Sequence, residues 1–207
     1  RFLDVSSFDT GKVRDMSYMF SEVNRLVNLD VAKFDTSSCT TFLGTFQNCR
    51  YLTSLDVSGF KTGKITDMAY MFQNCGYIKE LKVDNWDTTE NTDFYMMFTN
   101  CNGLTSLNMD NFITKNIEDM SYMFQGCSNL ETIKMKQFDT SLVNDMSYMF
   151  QGCSALKSLS LTHFDVQNVE DMSHMFSGCR SLTNLDLSSF VTNNVKDMSY
   201  MFQLCNR

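Results

Sequence analysis

The side chains that could do chemistry recur in rows along this sequence instead of gathering in clusters. Seven of the eight cysteines share one spacing of 26 residues: Cys49, Cys75, Cys101, Cys127, Cys153, Cys179 and Cys205. The two histidines, His163 and His174, occupy different positions of the repeated pattern. There is no C-x-x-C pair or Cys/His cluster with metal-ligand spacing, and no Ser/His/Asp set or Gly-rich phosphate loop. We therefore expect no catalytic site, no bound metal and no cofactor.

The cysteine row is best interpreted as a row of buried free thiols. Val23 takes the cysteine position in the first copy of the pattern, and the additional Cys39 stands where Val13 and Ile65 stand in other copies. Exchange with aliphatic residues indicates apolar packing, which is a common role of free cysteine. Disulfides between neighbouring copies and metal ligation remain alternatives, since stacked copies could bring thiols within bonding distance.

A row of carboxylates could bind cations or cap the backbone. This aspartate row comprises Asp15, Asp67, Asp93, Asp119, Asp145, Asp171 and Asp197, with Thr41 in the same position of the second copy. Each copy contributes one carboxylate, whereas calcium requires several oxygen ligands. We therefore favour capping of free N–H groups at helix N-termini over calcium binding.

Two further rows have both a packing and a binding interpretation. The threonine row comprises Thr10, Thr36, Thr62, Thr88, Thr114, Thr140 and Thr192, with Val166 in the same position. Val166 favours a buried methyl group and a hydroxyl bonded to the local turn over a regular array for glycan or ice. The tyrosine row comprises Tyr18, Tyr70, Tyr122, Tyr148 and Tyr200, with His174 in the same position. We expect these rings to cover the next copy, and an exposed aromatic stripe for a partner or a sugar is the alternative.

All these rows follow from an internal repeat of 26 residues. One aromatic position marks its eight copies: Phe8, Phe34, Phe60, Trp86, Phe112, Phe138, Phe164 and Phe190. A strict period of this length predicts a solenoid of stacked coils, because one copy is too small to bury its own apolar face. We expect residues 1–207 to form one domain, and to be a piece of a longer array without its caps.

Each copy predicts one short strand and one short helix. Leu3 and Val5 alternate with Asp4, which is typical of a strand with one buried face. In "DMSYMFQGC", residues 119–127, the Met, Met, Phe and Cys side chains fall at i, i+3, i+4 and i+7, which indicates one face of a helix of about two turns. The sequence thus predicts an α/β repeat solenoid whose Met, Phe and Cys side chains fill the core.

Composition limits the partners. The formal net charge is −7 and lysine and arginine are scattered, so nucleic acid and anionic lipid are poor candidates, because phosphate binding requires clustered positive charge. No apolar run is long enough to span a membrane, for which about 18 residues are needed, so we expect no direct membrane insertion of this segment.

The junction between copies carries a family resemblance. It reads C-x-x-L-x-x-L-x-L-x-x-F, as in "CSALKSLSLTHF" at residues 153–164, which is similar to a leucine-rich repeat. The M-F-x-x-C-x-x-L text closely resembles the BspA-like leucine-rich repeats of bacterial surface proteins and lipoproteins, in the Met-rich branch long described as a domain of unknown function. The resemblance implies a right-handed arc of eight coils, with short parallel strands on its inner face and short helices on its outer face. It also implies surface exposure and, for some members, adhesion to host or neighbouring-cell proteins.

The outward positions of the predicted strands are where a partner would bind. The charged candidates are Asp4, Asp30, Asp56, Glu80, Lys82, Asp84, Asp110, Lys134, Lys136 and Asp186. We expect a non-enzymatic scaffold or adhesin on a bacterial cell surface, with a protein of a host or neighbouring cell as its partner. The alternatives are a structural spacer or a module that self-associates end to end, and, more distantly, a glycan-binding protein.

Overall fold

The strands are few, short and parallel. The computed structural model describes residues 3–205. It contains β1 (Ser106–Asn108), β2 (Thr132–Lys134), β3 (Ser158–Leu159) and β4 (Asn184–Leu185). β1 pairs with β2 and β3 pairs with β4, and residues 26 apart face one another in both pairs. The copies therefore stack in the register that the period predicts.

A second line of contacts joins the coils at the aspartate row. Coils 1 to 8 begin at residues 1, 27, 53, 79, 105, 131, 157 and 183. Isolated parallel bridges connect row members in consecutive coils: Asp15 to Thr41, Thr41 to Asp67, Asp67 to Asp93, Asp119 to Asp145, Asp145 to Asp171, and Asp171 to Asp197. Within the described residues, six of the seven neighbouring coil pairs are thus bridged at the aspartate row, and coils 2 and 3, 5 and 6, and 7 and 8 are also bridged at the strand segment.

The predicted α/β solenoid with an outer layer of helices is wrong, because residues 3–205 contain no helix. In the segment predicted to be helical, alternate N–H groups donate to the next coil: Met120 to the carbonyl of Asp145 at 3.0 Å and Tyr122 to that of Ser147 at 2.9 Å. The N–H groups between them close tight turns within the coil, as from Gln125 to the Tyr122 carbonyl at 3.0 Å. The segment is a chain of turns, which we call the turn row (residues 120–126 in coil 5 and their equivalents).

Two physical features account for the missing helices. An α-helix is about 10 Å across, whereas parallel strands lie about 4.8 Å apart, so coils bonded on both sides leave no room for a helix in each. The tyrosine position also has left-handed backbone, with φ of 57° at Tyr18 and 58° at Tyr122. This conformation costs a non-glycine residue about 1–2 kcal/mol, and the hydrogen bonds to the next coil offset that cost.

The side chains predicted to be internal do form the core. Phe46, Phe72, Phe98, Phe124 and Phe150 are fully buried. Their rings form part of one continuous stack from Phe20 to Phe202, with centroids of neighbouring rings 5.5 to 5.9 Å apart. The methionines at 68, 71, 97, 120, 123, 146, 149, 172 and 175 are also fully buried. The sequence pattern therefore identified the interior correctly although it assigned the wrong backbone to it.

The cysteine row is a row of buried free thiols with a shared bonding pattern. All eight cysteines are free, and Cys205 alone is half-buried, the others being buried. Each row member donates to the carbonyl of a phenylalanine in the preceding coil, as from Cys127 to Phe98 at 3.1 Å and from Cys153 to Phe124 at 3.2 Å. The thiols therefore cross-link the coils without covalent bonds. Burial raises the pKa of Cys127 to about 12.

These thiols should resist alkylation in the folded chain. Only the thiolate reacts, and burial raises the pKa of Cys49 to about 11 and that of Cys179 to about 12. Between pH 8 and 9 we expect iodoacetamide to label half-buried Cys205 first, while the buried row members react only after unfolding in urea. Mass spectrometry of peptides would measure this order. Equal labelling of Cys127 and Cys205 in the native chain would contradict the burial.

The hydroxyl groups of the threonine row bond the neighbouring coil. The prediction that they bond their own turn is wrong. The Thr114 hydroxyl donates to the Asp139 carbonyl at 2.8 Å and accepts from the Asp139 N–H at 2.8 Å. The same two-way contact links Thr140 to Asp165. Because Thr114 is buried, its methyl packs in the core as expected, while its hydroxyl bonds the neighbouring coil.

Within residues 3–205 there is no apolar helix of membrane-spanning length.

Candidate binding surface

The outward side chains of the strand segments form one surface, which we call the strand face. In coil 2, Leu29 and Val31 are buried while Asn28 and Asp30 are exposed, and β1 repeats this alternation with Leu107 buried. Side chains on a strand point alternately to its two sides, so the charged positions face solvent. The predicted outward orientation of these positions is confirmed. Phe2, which is the coil 1 equivalent of Asn28, lies outside the described residues.

Four of the predicted binding residues also cap their own turns. The carboxylates of Asp4, Asp30, Asp56 and Asp186 each accept the N–H two residues later, at 2.9 to 3.0 Å. The Ser58 hydroxyl adds a second bond to Asp56 at 2.6 Å, and these bonds lower the pKa of Asp56. A carboxylate with this local role is a weaker indicator of partner binding than a free one.

The other predicted residues are more available. Asp110 is half-buried and accepts the Lys136 N–H at 2.9 Å, which joins two coils. Glu80, Lys82 and Lys134 are exposed, and within residues 3–205 none of their side chains forms a hydrogen bond or an ion pair. Asp84 and the Lys136 side chain share this property. These five charges can meet a partner without loss of an internal contact.

The fold collects eight of the ten predicted residues into three shallow depressions along the strand face, and Asp84 and Asp186 line none of these three. One, of about 250 Å³, includes Asp4 and Asp30. A second, of about 300 Å³, includes Asp56, Glu80 and Lys82. A third, of about 280 Å³, includes Asp110, Lys134 and Lys136 together with His163. Charge therefore changes from acidic in the first coils to basic around coil 6.

The aspartate row caps turns. The prediction that it caps helix N-termini is wrong, because residues 3–205 contain no helix. Asp119 and Asp145 each accept the N–H of the serine two residues later at 2.7 Å. Burial raises the pKa of Asp145, and the negative charges of Asp119 and Asp171 raise it further. Among the described residues, no three His, Cys, Asp or Glu side chains converge as a metal site would require.

The tyrosine row covers neighbouring coils as predicted. The rings of Tyr122 and Tyr148 stack with centroids 4.5 Å apart, and His174 continues the stack at 4.4 Å from Tyr148. Coil 2 has Gly44 in this position, and a Cβ there would lie 2.4 Å from the Tyr18 ring. The glycine in the irregular "TTFLGTF" text therefore makes room for the tyrosine of coil 1.

A surface cluster around Tyr51 and Tyr77 lies outside the residues predicted from sequence. Both side chains are more than half exposed, and their rings stack with centroids 5.5 Å apart. The sequence signal that could have found them is a departure from the repeat. At this position the later coils carry Gly103, Asn129, Ala155 and Ser181.

The comparisons with known proteins place the chain in a family. The family profile described as "Mycoplasma protein of unknown function, DUF285" matches residues 1–109 and 92–207, which together cover the whole chain. No curated protein matches it. Among solved structures, the functional domain of InlJ from Listeria monocytogenes, which includes a cysteine ladder, is 11% identical over 89% of this chain, with a TM-score of 0.19. The chain spans 50% of that structure.

These matches refine the predicted resemblance. The branch described as a domain of unknown function is supported, whereas membership of the BspA-like leucine-rich repeats is not confirmed. The similarity to InlJ is too weak to carry an argument about fold or partner. The chain belongs to the family described as Mycoplasma protein of unknown function, DUF285.

Proposed function

We propose that the chain is a non-enzymatic binding scaffold, displayed on a bacterial cell surface, that holds a protein partner on its strand face. The observation that carries this proposal is the contrast between the two sides of each strand segment. The inward positions repeat the same apolar types, whereas the outward positions change charge from coil to coil, as from Asp56 to Lys82. Packing dictates the inward side chains, so the outward variety is free to serve recognition.

The size and charge of the strand face suit a protein partner. The outward-facing segments, one in each of the eight coils, extend over roughly 35–40 Å at a spacing of about 4.8 Å, which is large enough for a protein partner. The change from acidic coils 1 and 2 to basic coil 6 would orient a partner with the opposite gradient. Charge complementarity of this kind sets orientation and association rate more than affinity.

Charge reversal at positions without internal contacts tests this proposal. The variant combines Glu80→Lys, Lys82→Glu and Lys134→Glu, none of which removes a side-chain bond in the described chain. We expect at least a tenfold loss in binding to intact host or neighbouring cells, measured by flow cytometry with the labelled chain at two salt concentrations.

A matched control reverses charges that form an ion pair outside the three depressions. Lys196 and Glu170 are exposed and precede Asp197 and Asp171 of the aspartate row, and their charged atoms are 2.7 Å apart. Combining Lys196→Glu with Glu170→Lys exchanges the two charges and keeps the pair, so this double variant should bind like the parent chain. Undiminished binding by the triple variant would refute a role for the strand face.

A further inference from the structure

A polar depression in coils 2 to 4 is separate from the strand face. It has a volume of about 620 Å³ and is lined by Arg50, Asn74, Gly76, Tyr77, Asn100 and Asn102. None of these six residues lines the three depressions of the strand face. Its volume lies within the range of small-ligand sites, about 300–1,000 Å³. We call it the tyrosine pocket.

The Tyr77 ring presents one open face to the pocket. Tyr51 of the preceding coil covers the other face, with ring centroids 5.5 Å apart and planes 26° apart. The next coil has Gly103 in this position, and a Cβ there would lie 2.6 Å from the Ile78 carbonyl oxygen. The close approach of the two backbones therefore requires glycine at position 103. Because glycine has no side chain, nothing at this position covers the Tyr77 ring.

Amide groups line the pocket beside this ring. The Asn100 side-chain NH₂ donates to the Asn74 side-chain oxygen at 2.8 Å, and Asn74 donates to Asn48 at 2.7 Å. The next coil has Gly126, whose Cβ would lie 2.2 Å from the Asn100 Oδ1 atom. The row of amides therefore ends at Asn100. Because the equivalent residue of the next coil is Gly126, no side chain there pairs with the Asn100 amide oxygen.

The charge of the pocket is opposite to that of the chain. The formal net charge of the protein is −7, yet the pocket lining contains the Arg50 guanidinium and no carboxylate. Arg50 forms no ion pair with any residue of the described range 3–205. A guanidinium binds a carboxylate through two parallel hydrogen bonds, so the pocket can take an anionic group beside an aromatic face and several amides.

We propose that the tyrosine pocket binds an acidic sugar, that is, a pyranose ring that carries a carboxylate. The C–H face of the sugar ring packs on the open, electron-rich face of Tyr77. The amides of Asn100 and Asn102 bond its hydroxyl groups, and Arg50 bonds its carboxylate. None of the pocket residues is among the charges proposed to bind a protein partner, so the two sites can be tested separately.

Isothermal titration calorimetry with three sugars tests the proposal. The probes are 3′-sialyllactose, a uronic-acid disaccharide and neutral lactose, and they distinguish the two natural sources of a sugar carboxylate. We expect one or both acidic sugars to bind at least tenfold more tightly than lactose. No binding of either acidic sugar, or binding of lactose with equal affinity, would overturn the proposal.

Variants assign the binding to the pocket. Tyr77→Ala and Arg50→Gln are each expected to reduce the affinity for the acidic sugar at least tenfold. Arg180→Gln is the matched control, because Arg180 occupies the same position five coils later without a neighbouring tyrosine. Asn100→Gly removes one amide at a position where Gly126, Gly152 and Gly178 share its positive φ, so the backbone is retained. Acidic-sugar binding that is unchanged in Tyr77→Ala and Arg50→Gln would place it elsewhere and refute the assignment.

Discussion

Phe124→Ala is expected to lower the free energy of unfolding by about 3–5 kcal/mol, the usual cost of deleting a fully buried phenylalanine ring. The ring lies between Phe98 at 5.7 Å and Phe150 at 5.5 Å. Its removal therefore creates a cavity and interrupts the continuous stack in the middle of the array. Urea unfolding followed by far-UV circular dichroism and by the fluorescence of the single tryptophan, Trp86, measures the loss.

The same substitution in the last coil is the matched control. Phe202 occupies the equivalent position, but its side chain is 51% exposed, so Phe202→Ala leaves only a partial cavity. We expect a loss of about 1 kcal/mol or less, in keeping with the smaller apolar area removed from contact. Because stacked repeats depend on their neighbours, the Phe124 variant should also separate the Trp86 transition from the circular dichroism transition. Equal effects at the two positions would contradict the buried stack.

Thr114→Val is expected to destabilise the chain by about 2–3 kcal/mol, although valine has nearly the same shape, because a partly buried backbone group without its partner costs about 1–3 kcal/mol. The Thr114 hydroxyl satisfies both the N–H and the carbonyl of Asp139. Thermal and urea unfolding measure the change, and hydrogen exchange at the Asp139 amide should accelerate at the same time.

Two companion variants separate the hydroxyl from the methyl group. Thr114→Ser keeps the hydroxyl, so we expect it to retain the Asp139 protection while losing some packing. Val166→Thr introduces the hydroxyl at the one described position of the row that lacks it, opposite Val191. We expect this hydroxyl to raise the free energy of unfolding by about 0.5–1 kcal/mol. The gain is small because Val191, which the hydroxyl would bond, is 48% exposed. If Thr114→Val proved as stable as the parent chain, the coil-to-coil role of the threonine row would be refuted.

The sequence predicted the interior well because the period is strict. In coils 2 to 7, the positions that keep an apolar residue at 26-residue spacing, such as the cysteine row, are buried or nearly so. The register of β1 against β2 also follows from the period alone. These properties depend on which side chains face inward, and a repeated pattern records that directly.

The backbone of residues 119–127 could not be predicted in the same way. Spacing at i, i+3 and i+4 fits a helix, but it fits equally a chain of tight turns in which Met120, Met123 and Phe124 point inward. The choice depends on hydrogen bonds to the next coil and on left-handed φ at Tyr122. Neither leaves a local signal, because tyrosine rarely adopts this conformation.

The surface was predicted only in part, for a similar reason. Outward charges such as Lys82 and Lys134 follow from strand alternation, so their exposure was predictable. The capping bond of Asp56 and the open face of Tyr77 depend on neighbouring residues in the folded backbone. In particular, the tyrosine pocket requires both the tyrosine stack and the glycine at 103, which sit in different coils.

The turn row also gives the array an electrical direction. Its coil-to-coil bonds all run the same way, since the N–H groups of Phe98 and Phe124 each donate to a carbonyl in the following coil. Peptide dipoles that align head to tail add together, as they do along a helix. The positive end of this sum points toward coil 8 and the negative end toward coil 1. The turn row is therefore polarised along the stacking direction, whereas bonds beside it, such as that from the Asn144 N–H to the Glu118 carbonyl, run the opposite way.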